Sequence, residues 1–507
     1  MKTHTDRPNI VFILADDLGW NDLGGFGGSS FYEGPHINRI AAEGMRFSQA
    51  YAACQVCSPS RASILTGKYT TRHGITDYLG AATGERWRTY GRCDKMLPPE
   101  YGPRLHPGEI TFAEVLRRAG YRTFMAGKWH VGGKDAGPEQ YGFETAIHGF
   151  WDGDRRYFSP WPNANIEPGP AGECLAMRLA QETARFITRH KDEPFLAYLS
   201  FHHVHAPIQT TRERWEKFRK KAVAQGTPEQ RFIFDRNLPV RQVQDCPVYA
   251  GMIEAMDDAV GLVLDTLDKL GLADNTLVCF TSDNGGVSSG DGYSSAMLPL
   301  RGGKGRQWEG GIREPLYVRF PGLVQPGASC GVPVSGIDFY PTLLELAGLG
   351  VPPNQTIDGR SIAALLRGGQ DRALTERDLF WHYPHYGNQG GDPSSIIRRG
   401  PWKLIHYYED GHDELYNLET DQGERTDVAS HNRALTATLR SRLDQWLADT
   451  GAKFPVPDPQ YDAARQAEVL HRREHEQMPQ LEAEHARYLD PDWQPDADWW
   501  GSQVVYD

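Results

Sequence analysis

The segment Cys57-Ser58-Pro59-Ser60-Arg61 sets a thiol and a guanidinium four residues apart, just ahead of Ala62 to Lys68. Ser58 can cap a helix, Pro59 suits its first turn and Gly67 can end it, which predicts a helix with Cys57 at its N-terminus and Arg61 one turn on. Unpaired N–H groups and a guanidinium fork together make a site for an oxyanion. A second set of residues offers oxygen alone: Asp16, Asp17, Asp283 and Asn284. Several carboxylates and an amide carbonyl suit a hard cation, Ca²⁺ ahead of Mg²⁺. Taken singly, Asp-Asp and Asp-Asn-Gly-Gly are turn signals; beside an anion site they point to a metal centre. Lys128 and His130 stand two apart, so in an extended segment they project to one side. Alone they would read as a solvated lysine and a packed histidine. His202, His203 and His205 crowd together, but the oxygen-rich partners do not suit zinc. Lys304 lies in a glycine-rich stretch with Glu309-Gly310-Gly311 close behind.

Most of these groups follow short apolar runs that end abruptly. Asn9 to Leu14 leads to Asp16-Asp17, Tyr121 to Ala126 to Lys128 and His130, Phe195 to Phe201 to the histidines, and Thr276 to Ser282 to Asp283-Asn284. Near-continuous runs of this length read as strands buried on both faces of a mostly parallel sheet. Phe112 to Arg118, Ala176 to His190 and Tyr249 to Leu270 carry helical periodicity, with Gly120 and Gly271 as stops. Alternation of the two implies an α/β fold with its sites at the carboxyl ends of the strands. After about residue 375 the character changes. Asp378–Tyr383, Ser395–Arg399, Trp402–Tyr407 and Glu414–Leu418 predict a small antiparallel sheet, packed by a helix near Asn432 to Thr450. The expected organisation is an α/β domain over 1–375, the small subdomain over 376–452 and a tail over 453–507, which wraps the surface or meets another subunit.

Cys57-Ser58-Pro59-Ser60-Arg61 resembles the C-x-P-x-R signature of the type I sulfatases, and Gly120 to His130 matches their second signature, G-Y-x-T-x-x-x-G-K-W-H, at every specified place. The resemblance runs from about Asn9 to about Leu346 and more loosely through Asp378 to Leu418. It implies an alkaline phosphatase-like fold, with a large mixed sheet sandwiched by helices and a smaller C-terminal antiparallel sheet. It also implies that a maturation enzyme oxidises Cys57 to formylglycine. By the same resemblance the metal is held by Asp16, Asp17, Asp283, Asn284 and residue 57, and Arg61 and Lys128 hold the sulfate end. Asp283 and His130 would move protons there, and His205 with Lys304 would meet the leaving oxygen. The segment Phe380 to Tyr386 mixes aromatic rings with His382 and His385, which suits a sugar subsite as well as an aromatic strand that packs two domains together.

A chain of 507 residues with a formal charge of -12 is too long for one ordinary core and lacks the basic stripe that nucleic acid requires. No apolar stretch approaches the length of a membrane span and the first residues carry no apolar signal core. The protein is expected to be soluble, and either cytoplasmic or, if a signal peptide has been removed, periplasmic or secreted. Seven scattered cysteines do not form a disulfide framework. The leading expectation is hydrolysis of a sulfated carbohydrate. A broad arylsulfatase, a formylglycine-type phosphodiesterase or phosphonate hydrolase and an inactive glycan-binding relative stay open.

Overall fold

The computed structural model describes residues 7–24, 30–149, 156–161, 166 and 169–495. Its centre is an eight-stranded sheet. In chain order the strands are β1 (Asn9–Ala15), β2 (Met45–Phe47), β3 (Arg122–Lys128), β4 (Thr145–Gly149), β5 (Phe195–Ser200), β6 (Thr276–Ser282), β7 (Leu316–Arg319) and β8 (Ala328–Cys330). They lie side by side as β8-β2-β7-β6-β1-β5-β3-β4. The run from β6 to β4 is parallel, whereas β7 is antiparallel to both its neighbours. The sheet is therefore mixed, and its parallel half carries the strands whose ends hold the chemistry.

Period-two alternation along β1 builds two cores. Ile10, Phe12 and Leu14 pack with Met125, Tyr198 and Phe339 on one face. Val11, Ile13 and Ala15 pack with Phe124, Leu179 and Val260 on the other. Helices α1 (Cys57–Thr66) and α2 (Phe112–Arg118) cover the first face, and α3 (Leu175–Arg189) and α4 (Pro247–Lys269) cover the second. Burial on both sides explains why these strands are apolar throughout.

The small sheet holds β9 (Asp378–Tyr383), β10 (Ser394–Arg399), β11 (Trp402–Tyr407) and β12 (Asp413–Asn417), each antiparallel to the next. Its Ile397, Leu404 and Leu415 meet Leu439, Leu443 and Leu447 of helix α5 (Arg433–Asp449). The opposite face, with Trp381, Ile396 and Ile405, packs on Tyr51 and Trp308 of the large sheet's surroundings. Main-chain contacts join the segment expected as a tail to the rest of the chain. Val456–Pro457 pairs with Met96–Leu97, and the Glu482 carboxylate accepts from the main-chain N–H groups of Arg231 and Phe232. The part of that tail from 496 on is outside the described residues. No helix among those described is long and apolar enough to cross a membrane.

Candidate active site

Four strand ends meet at one edge. Asp16 and Asp17 follow β1, Lys128 closes β3 with His130 two residues on, the histidines follow β5, and Asp283 and Asn284 follow β6. Parallel pairing in register puts these ends level, since Ala15 lies against Ser282 and Gly127 against Ser200. Gly127 is required here. A Cβ at that position would sit 1.8 Å from the Ser200 carbonyl oxygen.

Helix α1 brings Cys57 to the same place, at its first turn. The capping differs from the expectation. Val56 stands at the N-cap, and the Ser58 hydroxyl instead accepts from the main-chain N–H of Leu79 at 3.1 Å, because the chain enters the helix two residues earlier. Gly67 ends the helix as expected, in the left-handed region at φ 70°.

Ligand atoms of Asp16, Asp17, Cys57 and Asp283 all lie within 4.8 Å of one another, and every one of these side chains is buried. Asn284 turns its amide nitrogen to Asp17 Oδ1 at 2.8 Å and leaves its buried carbonyl oxygen without a donor. Buried carboxylates within 4.8 Å of one another fit a hard cation, and the Asn284 amide beside Asp17 has an acceptor oxygen to spare. Burial pushes the Asp17 carboxyl up to about 7 against the pull of Lys304, and the Asp16 and Asp283 charges add to that rise. Asp16 goes the other way. Burial would raise it, but Lys128, at 2.7 and 2.8 Å, and Arg61 hold it well below the usual carboxylate range.

Arg61 lies beneath the cleft rather than on its wall, 1% exposed. Its guanidinium donates to Asp283 Oδ2 at 2.7 Å, the Ser200 hydroxyl at 2.6 Å and the Lys128 carbonyl at 3.1 Å. From there it fixes Asp283 and the end of β3.

A cavity of about 430 Å³ opens over this floor, lined by Cys57, Lys128, His130, His205 and Lys304, with Tyr78, Asp291, Asn388 and Gln389 on its outer side. Lys304 donates to Asp17 Oδ2 at 2.7 Å and keeps its charge despite burial, because Asp17 and Asp291 face it. His130 adopts φ 56° and buries Nδ1 without a partner. Burial, helped by Lys128 and Arg61, keeps its ring neutral. His205 Nδ1 donates to the Ala206 carbonyl at 2.5 Å, so Nε2 is the nitrogen turned toward Asp17 Oδ2, 3.7 Å away. Burial and Lys304 push that ring down to about 3. His202 and His203 are buried beside the same strand end, His203 against the ring of Tyr157.

His382 and His385 require a correction. Both are buried and neither borders the cavity. His382 is bonded to the Ser395 hydroxyl at 2.7 Å and the Lys453 carbonyl at 2.8 Å, and His385 Nε2 to the Thr76 hydroxyl at 2.8 Å. The aromatic strand packs two parts of the chain together, so its histidines are enclosed, His385 with Nδ1 unpartnered, 3.7 Å from Asp77 Oδ2. Conversely, Asp291 and Gln389 line the cleft although no motif marks them. A larger cavity of about 700 Å³, lined by Arg46, Arg313 and Arg398 among others, holds none of the groups above.

Residues 8–349 match the family model described as Sulfatase, and residues 304–450 match one described as N-sulphoglucosamine sulphohydrolase, C-terminal. A sulfatase of Formosa agariphila is 31% identical, over 92% of this chain and 94% of its own length. An N-acetylgalactosamine-6-sulfatase of Canis lupus familiaris is 31% identical over 78% of this chain and 71% of its own. Among solved structures, Ps i-CgsB in complex with k-i-k-neocarrahexaose superposes with a TM-score of 0.70 at 26% identity, covering 94% of this chain and 99% of that one.

Proposed function

The chain belongs to the sulfatase family and is a sulfuric ester hydrolase; on that premise we propose that its substrate is a sulfated carbohydrate and that residue 57 acts as formylglycine. The observation that carries this reading is the meeting of Cys57 with Asp16, Asp17 and Asp283 inside 4.8 Å, under a cleft that also holds Lys128, His130, His205 and Lys304. Relatives that act on N-acetylgalactosamine 6-sulfate, or bind neocarrahexaose, favour a sugar as the organic half. The cleft volume suits one sugar ring with its ester.

Asp16, Asp17, Asp283, Asn284 and the side chain at 57 would hold a divalent ion, Ca²⁺ ahead of Mg²⁺, which when bound polarises the oxygens around it. Formylglycine, as its hydrate, supplies two hydroxyls on one carbon, so the group that attacks sulfur can be freed again without a second hydrolysis. The chain's own residues do the rest. Asp283, oriented by Arg61, takes the proton of the hydroxyl that attacks sulfur. Lys128 meets the charge on the sulfate oxygens. Lys304, with His205 beside it, donates to the departing alcohol oxygen. His130, neutral and with an unpartnered nitrogen, then takes the proton of the second hydroxyl as sulfate leaves. One water is consumed, and an alcohol and a hydrogen sulfate are formed.

The test is a product-resolved screen of the matured protein on sulfated saccharides of defined linkage, with an aryl sulfate and a phosphate diester alongside. Release of sulfate from a saccharide at the highest kcat/KM supports the reading. Faster turnover of the phosphate diester would replace it with the phosphodiesterase alternative.

A further inference from the structure

The outer wall of the cleft is built by two loops that belong to different parts of the chain. Residues 289–293 follow the β6 end, and residues 386–392 follow β9 in the small sheet. They are locked together. The Ser289 hydroxyl donates to the Gln389 carbonyl at 2.7 Å, and Arg306, wholly buried, donates Nε to that same carbonyl at 2.9 Å and to the Ser289 hydroxyl at 3.0 Å. Gly290, at φ 64°, allows the approach, for a Cβ there would come within 3.0 Å of the Asn388 carbonyl oxygen and Gln389 Cα.

From this joint a carboxylate is presented to the cleft. Asp291 stands at φ 43°, a left-handed conformation that Asp and Asn tolerate better than most residues. Its Oδ2 accepts from Gln389 Nε2 at 2.8 Å and lies 3.5 Å from Lys304 Nζ. Its Oδ1 has no donor among the described residues, although the side chain lines the cavity. The wall continues through Asn388, whose amide donates to the Tyr78 hydroxyl at 2.9 Å. Among the described lining residues the lysines at 128 and 304 are the only formal cations, and both already face carboxylates.

Position decides what this carboxylate can do. Lys304 is the group assigned to the leaving oxygen, so Asp291, on its outer side, would face the carbons next to the ester rather than the sulfur of a sugar bound there. An ionised carboxylate only accepts hydrogen bonds, and a hydroxyl donor gives it a charge-assisted one. A second sulfate or a uronate carboxylate at that place would meet like charge, since among the described lining residues both lysines already face carboxylates and the nearby Arg92 is engaged by Asn388 Oδ1 at 2.6 Å. Burial would raise the Asp291 carboxyl, but the Lys304 charge and the Gln389 hydrogen bond hold it below its ordinary value, so it is ionised at neutral pH.

We propose that Asp291, oriented by Gln389, is a specificity-determining residue that accepts a free hydroxyl beside the scissile sulfate and excludes sugars carrying a second anionic group there. This rests on the carbohydrate reading above. Gln389 is a positioning residue in the assignment, because its amide fixes which Asp291 oxygen faces the substrate.

The experiment compares kcat/KM of matured wild type, Asp291→Asn and Gln389→Leu on three probes. These are 4-nitrophenyl sulfate, a positional panel of galactose and N-acetylgalactosamine monosulfates, and the best of those sugars bearing one further sulfate. Asn keeps the shape and the left-handed backbone, so the first variant folds. Its sugar-to-aryl ratio is expected to fall about 10- to 100-fold, the range for a lost hydrogen bond to a charged group, and its preference for the monosulfated over the disulfated sugar is expected to shrink. Gln389→Leu moves both ratios the same way by less. Parallel loss on aryl and sugar substrates, or unchanged ratios in Asp291→Asn, would overturn the assignment while leaving the sulfatase reading intact. A wild type that cleaves the aryl sulfate and none of the sugars would instead remove the carbohydrate reading, and this assignment with it.

Discussion

Two pairs of histidines, each near the end of a strand, have opposite fates. His130 and His205 stand beyond parallel strands of the large sheet and border the cleft, whereas His382 and His385 belong to β9 and the turn after it and are sealed between the small sheet and the rest of the chain. Both pairs are held neutral chiefly by burial. The difference lies in what they touch. His130 keeps a buried nitrogen unpartnered and His205 points Nε2 at the carboxylate cluster, while His382 spends both nitrogens on Ser395 and Lys453. His385 also leaves a buried nitrogen, Nδ1, without a partner, so neither a depressed imidazole pKa nor an uncommitted nitrogen separates the two pairs; their place at the cleft does.

The comparison can be broken in several ways, the harshest first. Cys57→Ala should abolish sulfate release, by ~10⁴-fold or more, as expected when the nucleophile of a coupled set is removed; substantial residual turnover would mean that another residue attacks sulfur. His205→Ala should cost about 10²- to 10⁴-fold in kcat, the usual range for a proton-transfer group, with little change in thermal midpoint. His385→Ala should do the reverse, losing about 1–3 kcal/mol of stability, since Thr76 is left inside without its partner, and keeping most of its kcat on both an aryl sulfate and a sulfated oligosaccharide. A kcat loss in His385→Ala matching that of His205→Ala would erase the distinction.

Chelation sharpens it on the metal side. Treatment with EDTA should remove activity and lower the thermal midpoint, and Ca²⁺ should restore both better than Mg²⁺. Full activity after exhaustive chelation would contradict the cation reading of the Asp16, Asp17, Asp283 and Asn284 cluster.

The smallest expected effect is a pH dependence of stability. Burial pushes His382 down to about 4 against the pull of the Lys453 carbonyl, and His73 down to about 3. In the unfolded chain a histidine titrates near ~6.5, so below that pH the unfolded state binds more protons and folding weakens. Stability should therefore be fully present above about 6.5 and fall as pH drops toward about 4. His382→Gln should flatten part of that slope in urea melts across the window; superimposable slopes would show that His382 is not held neutral.

Much of this was legible because it was local. β6 spans Thr276–Ser282 and α2 spans Phe112–Arg118, as periodicity and turn residues predict, and the charged residues follow the strands. The antiparallel pieces β2 and β7 were not read from pattern. At three and four residues they carry no usable period, and the mixed sheet entered only through the family resemblance. Arg61 was marked by its signature, but its depth was not, since burial of a guanidinium depends on Asp283 and Ser200 arriving from other strands. Asp291 and Gln389 are separated by about a fifth of the chain and meet only because Arg306 and Gly290 join their loops. The one local hint was a turn-rich stretch, Ser288 to Gly292, directly downstream of the Asp283 strand end, where loops of an α/β sheet carry function.

The claim on which the account depends is that residue 57 works as an aldehyde-derived nucleophile in sulfate ester hydrolysis. Mass analysis of the peptide containing Cys57, from protein produced with its maturation enzyme and assayed in the same preparation, tests it directly. The account predicts a loss of about 18 Da at that residue, with sulfate release rising in proportion to the modified fraction. Full activity from protein in which Cys57 is entirely unmodified would contradict it.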